Sequence, residues 1–174
     1  MDHENLTRLM RDVPDFPKPG IVFKDITPLL ADPTALRDVM TAMADPWRDA
    51  GVTRIIGVES RGFLVGTGVA LDLDVGLALV RKPGKLPCET HSVSYELEYG
   101  TDSLEIHKDA LQAGDRVVIL DDVLATGGTA AAVAELVQRC GAELLGFGFL
   151  LELGFLEGRA KLPAGTRVEA IQTL

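Results

Sequence analysis

Four short, uninterrupted apolar runs, at residues 55–58, 75–80, 117–120 and 144–151, with a fifth at 168–171 broken only by Glu169, constrain this chain more than any other feature. A short run that is apolar at every position has no face to offer water, so it suits a strand covered on both sides. Helical stretches separate several of these runs, at residues 62–71 and 129–141. The second carries Val133, Leu136, Val137 and Cys140 at i, i+3, i+4 and i+7. The alternation predicts an α/β fold with a central, mostly parallel sheet flanked by helices. A chain of 174 residues fits a single domain, and its 47% hydrophobic content is enough for a substantial core.

Before the first run, Leu6, Leu9, Met10 and Val13 have the spacing of a short amphipathic helix. A proline-rich turn at residues 14–20 leads into an extended segment, Ile21, Val22 and Phe23. Asp32 followed by Pro33 is a helix start, with the acid as cap and the proline in the first turn. That helix carries Leu36, Val39, Met40, Met43 and Trp47 and is expected to close at Gly51. Residues 82–111 break the rhythm. Their alternating segments, 92–99 and 103–108, predict a β-hairpin projecting from the sheet around Gly100, a long excursion of the functional kind.

Lys and Arg total 17 against 26 Asp and Glu, a formal net charge of −9, which argues against broad nucleic-acid binding. A phosphorylated small molecule remains possible if positive groups gather in one cleft. Two cysteines, Cys88 and Cys140, provide neither a disulfide framework nor metal-site spacing. His3, His91 and His107 have no zinc spacing. Residues 1–13 lack a signal peptide's apolar core, and residues 144–156 are too short to span a bilayer and contain Glu152. A cytoplasmic protein without a membrane partner is expected.

The chemistry is concentrated in residues 117–129, where a buried strand ends in Asp121 and Asp122, crosses a small-residue loop and enters a helix. Ligands of parallel sheets sit at the carboxyl ends of strands. Gly127 and Gly128 allow close backbone approach, and the free N–H groups of a new helix suit a phosphate. Thr126 and Thr129 add hydroxyl donors, while the two acids suit sugar hydroxyls. Gly-Gly-Thr alone fits an ordinary capped loop better, but the whole thirteen-residue segment reverses that and describes a ribose 5-phosphate site. GxxxxGK[ST] is absent, which excludes a P-loop kinase.

Asp121-Asp122-Val123-Leu124-Ala125-Thr126-Gly127-Gly128-Thr129 resembles the ribose-phosphate motif of the type I phosphoribosyltransferases, in the form typical of the adenine-using branch. The similarity covers essentially the whole chain from about Leu6 and is weakest after Lys161. It implies the type I phosphoribosyltransferase fold with a small N-terminal hood (residues 1–33) and a mobile hairpin loop (residues 82–110). By the resemblance, Ala125, Thr126, Gly127, Gly128 and Thr129 hold the 5′-phosphate, and Asp121 and Asp122 hold the ribose. Residues 16–30 are similar to the family's N-terminal signature, in which Phe23 stacks on adenine and the Val22 backbone reads its amine edge. Lys24, where some relatives carry arginine, keeps the charge without the planar fork.

Glu59, Ser60 and Arg61, with Arg81, Lys82 and Lys85, are implied pyrophosphate-binding residues, and a cis peptide is expected between Glu59 and Ser60. The last three place three cations within five residues of an acidic chain. Glu98 and Tyr99, with Arg61, are implied catalytic residues, Glu98 handling the proton at purine N7. Cys88 departs from the family's pattern, which touches only the chemistry of its loop.

The expected reaction joins adenine to phosphoribosyl pyrophosphate, giving AMP and pyrophosphate. Mg2+ would be held mainly by substrate and water rather than by direct protein ligands, and the protein would be a homodimer. Two alternatives stay open: a phosphoribosyltransferase for another base, such as xanthine, hypoxanthine or orotate, and a non-catalytic sensor of phosphoribosyl pyrophosphate.

Overall fold

The structure is a computed structural model that describes residues 8–97 and 100–174. A five-stranded sheet forms the frame, built from β3 (Arg54–Val58), β4 (Gly76–Val80), β7 (Arg116–Leu124), β8 (Glu143–Glu152) and β9 (Arg167–Thr173). Its order is β4-β3-β7-β8-β9 and every pairing is parallel. All five apolar runs are therefore strands of one parallel sheet. Consecutive side chains go to opposite faces, both covered in the inner strands, which is why those runs show no polar alternation, whereas the edge strand β9 carries Glu169 and Gln172.

On one face Ile56, Val117, Ile119 and Phe147 pack with Val133, Leu136 and Val137 of α4 (Gly128–Arg139). On the other face Ile55, Val118, Leu120 and Leu150 pack with Val65 and Val69 of α3 (Arg61–Asp72). Val39 and Met43 of α2 (Pro33–Ala44) complete that layer, with Trp47 fully buried beside them. Asp32 caps α2 by accepting from the N–H groups of Thr34 and Ala35, both at 2.9 Å. That helix stops at Ala44 rather than at Gly51. Pro46 cannot donate to a continuing ladder, and the chain tightens into a 3₁₀ turn at Asp45–Trp47.

Two small sheets stand outside this frame. β1 (Arg11–Pro14) pairs antiparallel with β2 (Val22–Asp25), placing Val13 opposite Phe23. Val13 thus belongs to a strand and not to the predicted amphipathic helix, because the cross-strand partner outweighs the local spacing. Leu6 lies outside the described residues. A short helix, α1 (Thr27–Ala31), follows β2.

The second small sheet is the predicted hairpin, β5 (Thr90–Leu97) and β6 (Gly100–His107). Gly100 pairs with Leu97 and so begins the second strand instead of forming the turn. The hairpin is rooted in the protein, since Val93, Leu104 and Ile106 are buried in the α4-side core. No helix among the described residues is long and apolar enough to cross a membrane.

Candidate active site

The chain runs from β3 to β4 on one side of β3 and then to β7 on the other, so its winding reverses between β3 and β7. Loops leaving the carboxyl ends of such a pair diverge and open a crevice. Glu59, Ser60 and Arg61 leave β3 here, facing Asp121 and Asp122 near the end of β7. One cleft is lined by these five residues with Val22, Phe23, Lys24, Ala125 and Thr129. An adjoining pocket is lined by Asp121, Ala125, Thr126, Gly127, Gly128 and Thr129, among others. Segments far apart in sequence, residues 22–24, 59–61 and 121–129, thus come together.

The β7 strand runs four residues beyond the predicted end, through both acids to Leu124, because β8 continues the ladder with Asp121 opposite Phe149. Ladder pairing overrides the poor strand preference of aspartate. Gly127 then adopts φ +80° as the N-cap of α4, a conformation that favours glycine, and no side chain caps the helix. The first N–H groups of α4 are left for a ligand.

Burial pushes the Asp121 carboxyl well above the ordinary range, and the neighbouring Asp122 charge pushes it further. Asp122 is likewise raised by burial, with the Arg61 guanidinium opposing. Asp122 Oδ2 lies 3.0 Å from Arg61 Nε, yet it is buried without a hydrogen bond of good geometry. A buried, under-satisfied oxygen at a cleft wall is an acceptor waiting for a hydroxyl or a water. Gly62 is required beside it: a Cβ there would meet Leu120 O at 2.8 Å and Asp121 Oδ1 at 2.9 Å.

Arg61 also lies over the Phe23 ring, 4.8 Å from its centroid, and the Phe16 ring meets Phe23 edge-on at 5.2 Å. Arg61 therefore joins the sugar-side acid to the aromatic wall in this state. The Lys24 ammonium is directed away, to Asp12 Oδ1 at 2.6 Å. The Glu59–Ser60 peptide is cis, as is Phe16–Pro17.

Arg81, Lys82 and Lys85 gather around Glu59 instead of lining the cleft. Lys85 Nζ donates to Glu59 Oε1 at 2.5 Å, the Lys82 N–H donates to Oε2 at 2.9 Å, and Arg81 Nε lies 3.4 Å away. Lys82 Nζ is held by Asp102 Oδ2 of the hairpin at 3.0 Å. Burial would raise the Glu59 carboxyl, but Lys85, the Lys82 N–H and Arg81 together hold it at about 2. Because the value is depressed, the stability it contributes is complete above about 4.5 and is lost as pH falls towards 2. Glu59→Gln should therefore flatten the fall of melting temperature between those pH values. An unchanged slope would contradict the assignment.

Glu98 and Tyr99 lie outside the described residues. Several contacts around the site had no signal in the sequence. The Tyr95 hydroxyl is 3.3 Å from Thr129 Oγ1, tying the hairpin to the phosphate loop. Leu153 lines the cleft from the end of β8. Phe16 sat within a recognised segment, but its edge contact with Phe23 depends on the β1–β2 turn. Among the described residues no group of three or more His, Cys, Asp or Glu is placed to hold a metal ion.

Residues 25–161 match the model of the phosphoribosyl transferase domain. The adenine phosphoribosyltransferase of Syntrophotalea carbinolica is 56% identical over 160 residues, 92% of this chain and 94% of that protein. A crystal structure of the enzyme of that name from Rhodothermus marinus superposes with a TM-score of 0.94 at 51% identity, covering 98% of this chain and 97% of the other. The Saccharomyces cerevisiae structure, complexed with an imino-altritol bisphosphate and adenine, gives 0.90 at 42% identity, covering 97% of each. With the Asp-Asp strand end, the uncapped helix and the converging cleft, these likenesses establish that the chain belongs to the phosphoribosyl transferase family, on the branch whose members bear the name adenine phosphoribosyltransferase.

Proposed function

We propose that this protein transfers the 5-phosphoribosyl group from phosphoribosyl pyrophosphate to adenine, giving AMP and pyrophosphate in purine salvage. The observation that carries this reading is the cleft and its adjoining pocket, which bring together an aromatic wall, the half-buried Asp121 and buried Asp122, and an uncapped helix N-terminus. Those parts match the base, the ribose hydroxyls and the 5′-phosphate in the order in which they are joined in AMP.

In this reading the N–H groups from Ala125 to Thr129, with the Thr126 and Thr129 hydroxyls, grip the 5′-phosphate. Asp121 and Asp122 accept from the ribose hydroxyls, and Asp122 Oδ2 gains the partner it lacks. Adenine stacks on Phe23 while the Val22 backbone reads its amine edge. A base between two flat groups needs about 7 Å, two contacts of roughly 3.5 Å each. At 4.8 Å, Arg61 is too close to Phe23 for that, so base entry moves the guanidinium off the ring.

The purine nitrogen bonds to ribose C1 as the C1–pyrophosphate oxygen bond breaks, and Glu98 handles the proton at N7. Ser60, Arg61, Arg81, Lys82 and Lys85 receive the leaving charge, which requires Glu59 and Asp102 to share or release their cations. The hairpin bearing Glu98 and Tyr99 closes over the site and keeps water from the activated sugar.

Mg2+ belongs to this reading as a partner of the substrate. The residues present fit such an ion: Asp121 and Asp122, the latter with an under-satisfied oxygen, would hold it through water and the substrate. When bound, the ion neutralises pyrophosphate charge. The test of the function is the appearance of AMP and pyrophosphate in equal amounts from adenine, phosphoribosyl pyrophosphate and Mg2+. Donor binding with neither product would favour the sensor.

A homodimer in the cytoplasm completes the proposal. Leu64 and Leu71, one above the other on α3, are 50% and 78% exposed, and Leu79 of the edge strand β4 is 39% exposed. These leucines support a second copy as the cover for that edge. Sedimentation should give a dimer and Leu71→Glu a monomer; a wild-type monomer at working concentration would refute it.

A further inference from the structure

The phosphate loop has no side-chain cap, so something else must fix its shape. Behind it lies Gly158, which is buried and lines neither the cleft nor the phosphate pocket. A Cβ on Gly127 would collide with the Gly158 carbonyl, and a Cβ on Gly158 would collide with the Ala125 carbonyl and sit 3.1 Å from Gly127 N. Two backbone segments thus touch directly, with glycine on both sides.

The turn presenting Gly158 is itself unusual. Glu157 before it adopts φ +51°, ψ +33°, a left-handed conformation that costs a non-glycine residue roughly 1–2 kcal/mol. Arg159 after it holds the turn in place. Its Nε and Nη2 donate to the two oxygens of Glu152, each at 2.7 Å, and its Nη1 donates to Val168 O at 3.0 Å. Glu152 is only 6% exposed and stands opposite Leu124 in the sheet register, and Leu124 is the last residue before the loop. The contacts close a ring from the loop through Gly158, Arg159, Glu152 and Leu124 back to the loop.

We propose that Gly158 and the Arg159–Glu152 pair are positioning residues that brace the phosphate loop from behind and set its affinity for the 5′-phosphate. This rests on the phosphoribosyl-transfer reading of the same loop. N–H groups aimed at one small anion lose alignment when their backbone moves by a fraction of an ångström, whereas the pyrophosphate cations belong to other loops.

The test is calorimetric titration with ribose 5-phosphate and, separately, inorganic pyrophosphate. Wild-type protein that fails to bind ribose 5-phosphate would refute the site assignment itself, before any variant is made. Gly158→Ala should weaken ribose 5-phosphate binding about tenfold or more and leave pyrophosphate within about twofold, since only the loop backbone is displaced. The KM for the phosphoribosyl donor should rise in step, with kcat changing less.

Arg159→Ala would strand a buried carboxylate and endanger the fold, so Arg159→Lys is the second variant; it keeps the charge and loses the two-pronged grip. It should show the same selective loss, of about threefold or more. If both variants keep the wild-type ratio of the two affinities, even with lowered melting temperatures, the bracing role is wrong and the contact is structural only.

Discussion

Asp121→Asn combined with Asp122→Asn is expected to lower turnover by about a thousandfold, the order seen when preorganised polar groups are removed, while the protein becomes more heat-stable. Both effects come from one cause. Burial, with the charge of the neighbouring acid, raises the Asp121 carboxyl, and burial raises Asp122. Each holds its proton more tightly folded than unfolded. The folded state therefore loses stability as pH rises from the ordinary carboxylate value through the raised one, and at neutral pH it carries the remaining cost.

Asparagine is neutral throughout and removes that cost, but it no longer offers two anionic acceptors to the ribose. A rise in melting temperature of about 2–4 °C at pH 7 corresponds to roughly 1 kcal/mol in a chain of this size. The gain should shrink on acidification, where the wild-type acids take up their protons. Arg61 loses an ionic partner in the variant, but its side chain is 36% exposed and water can replace it. A variant that is less stable at pH 7, or that turns over normally, would contradict this picture of the pair.

Phe23→Ala is expected to raise the KM for adenine roughly 10- to 100-fold, from the 1–3 kcal/mol that stacking on an aromatic ring contributes. The ring is positioned by the edge contact with Phe16 and by the β1–β2 pairing, so it forms a preset wall. The same change removes the surface on which Arg61 rests at 4.8 Å. Donor KM should change much less than adenine KM, because the ribose acids and phosphate loop lie elsewhere in the cleft. Equal losses for both substrates would mean that Phe23 shapes the site generally instead of holding the base.

The parallel sheet was legible because burial on both faces leaves continuous apolar runs, a pattern few other elements produce. The phosphate loop was legible for a related reason: close approach, an uncapped helix and sugar-facing acids demand specific residue types in a fixed order. Val13 was misread because helical spacing is a local signal, and its strand partner Phe23 is brought near only by the proline-rich turn. Gly51 was misassigned as a helix end because Pro46 had already stopped the ladder.

Charge partners were the least legible part. Arg81, Lys82 and Lys85 formed a visible cationic cluster, but nothing local indicated that Glu59 and Asp102 hold them. Gly158 and Arg159 were silent for the same reason: their meaning depends on a backbone contact between distant turns.

Competition among bases tests the central claim most directly. Pyrophosphate release should be measured with phosphoribosyl pyrophosphate, Mg2+ and, in turn, adenine, hypoxanthine, guanine, xanthine and orotate. Strong turnover with adenine alone is the predicted result. Preference for an oxopurine or orotate would keep the phosphate loop and overturn the base-reading role of Val22 and Phe23. Absence of turnover with every base, in protein that still binds the donor, would contradict the enzymatic reading.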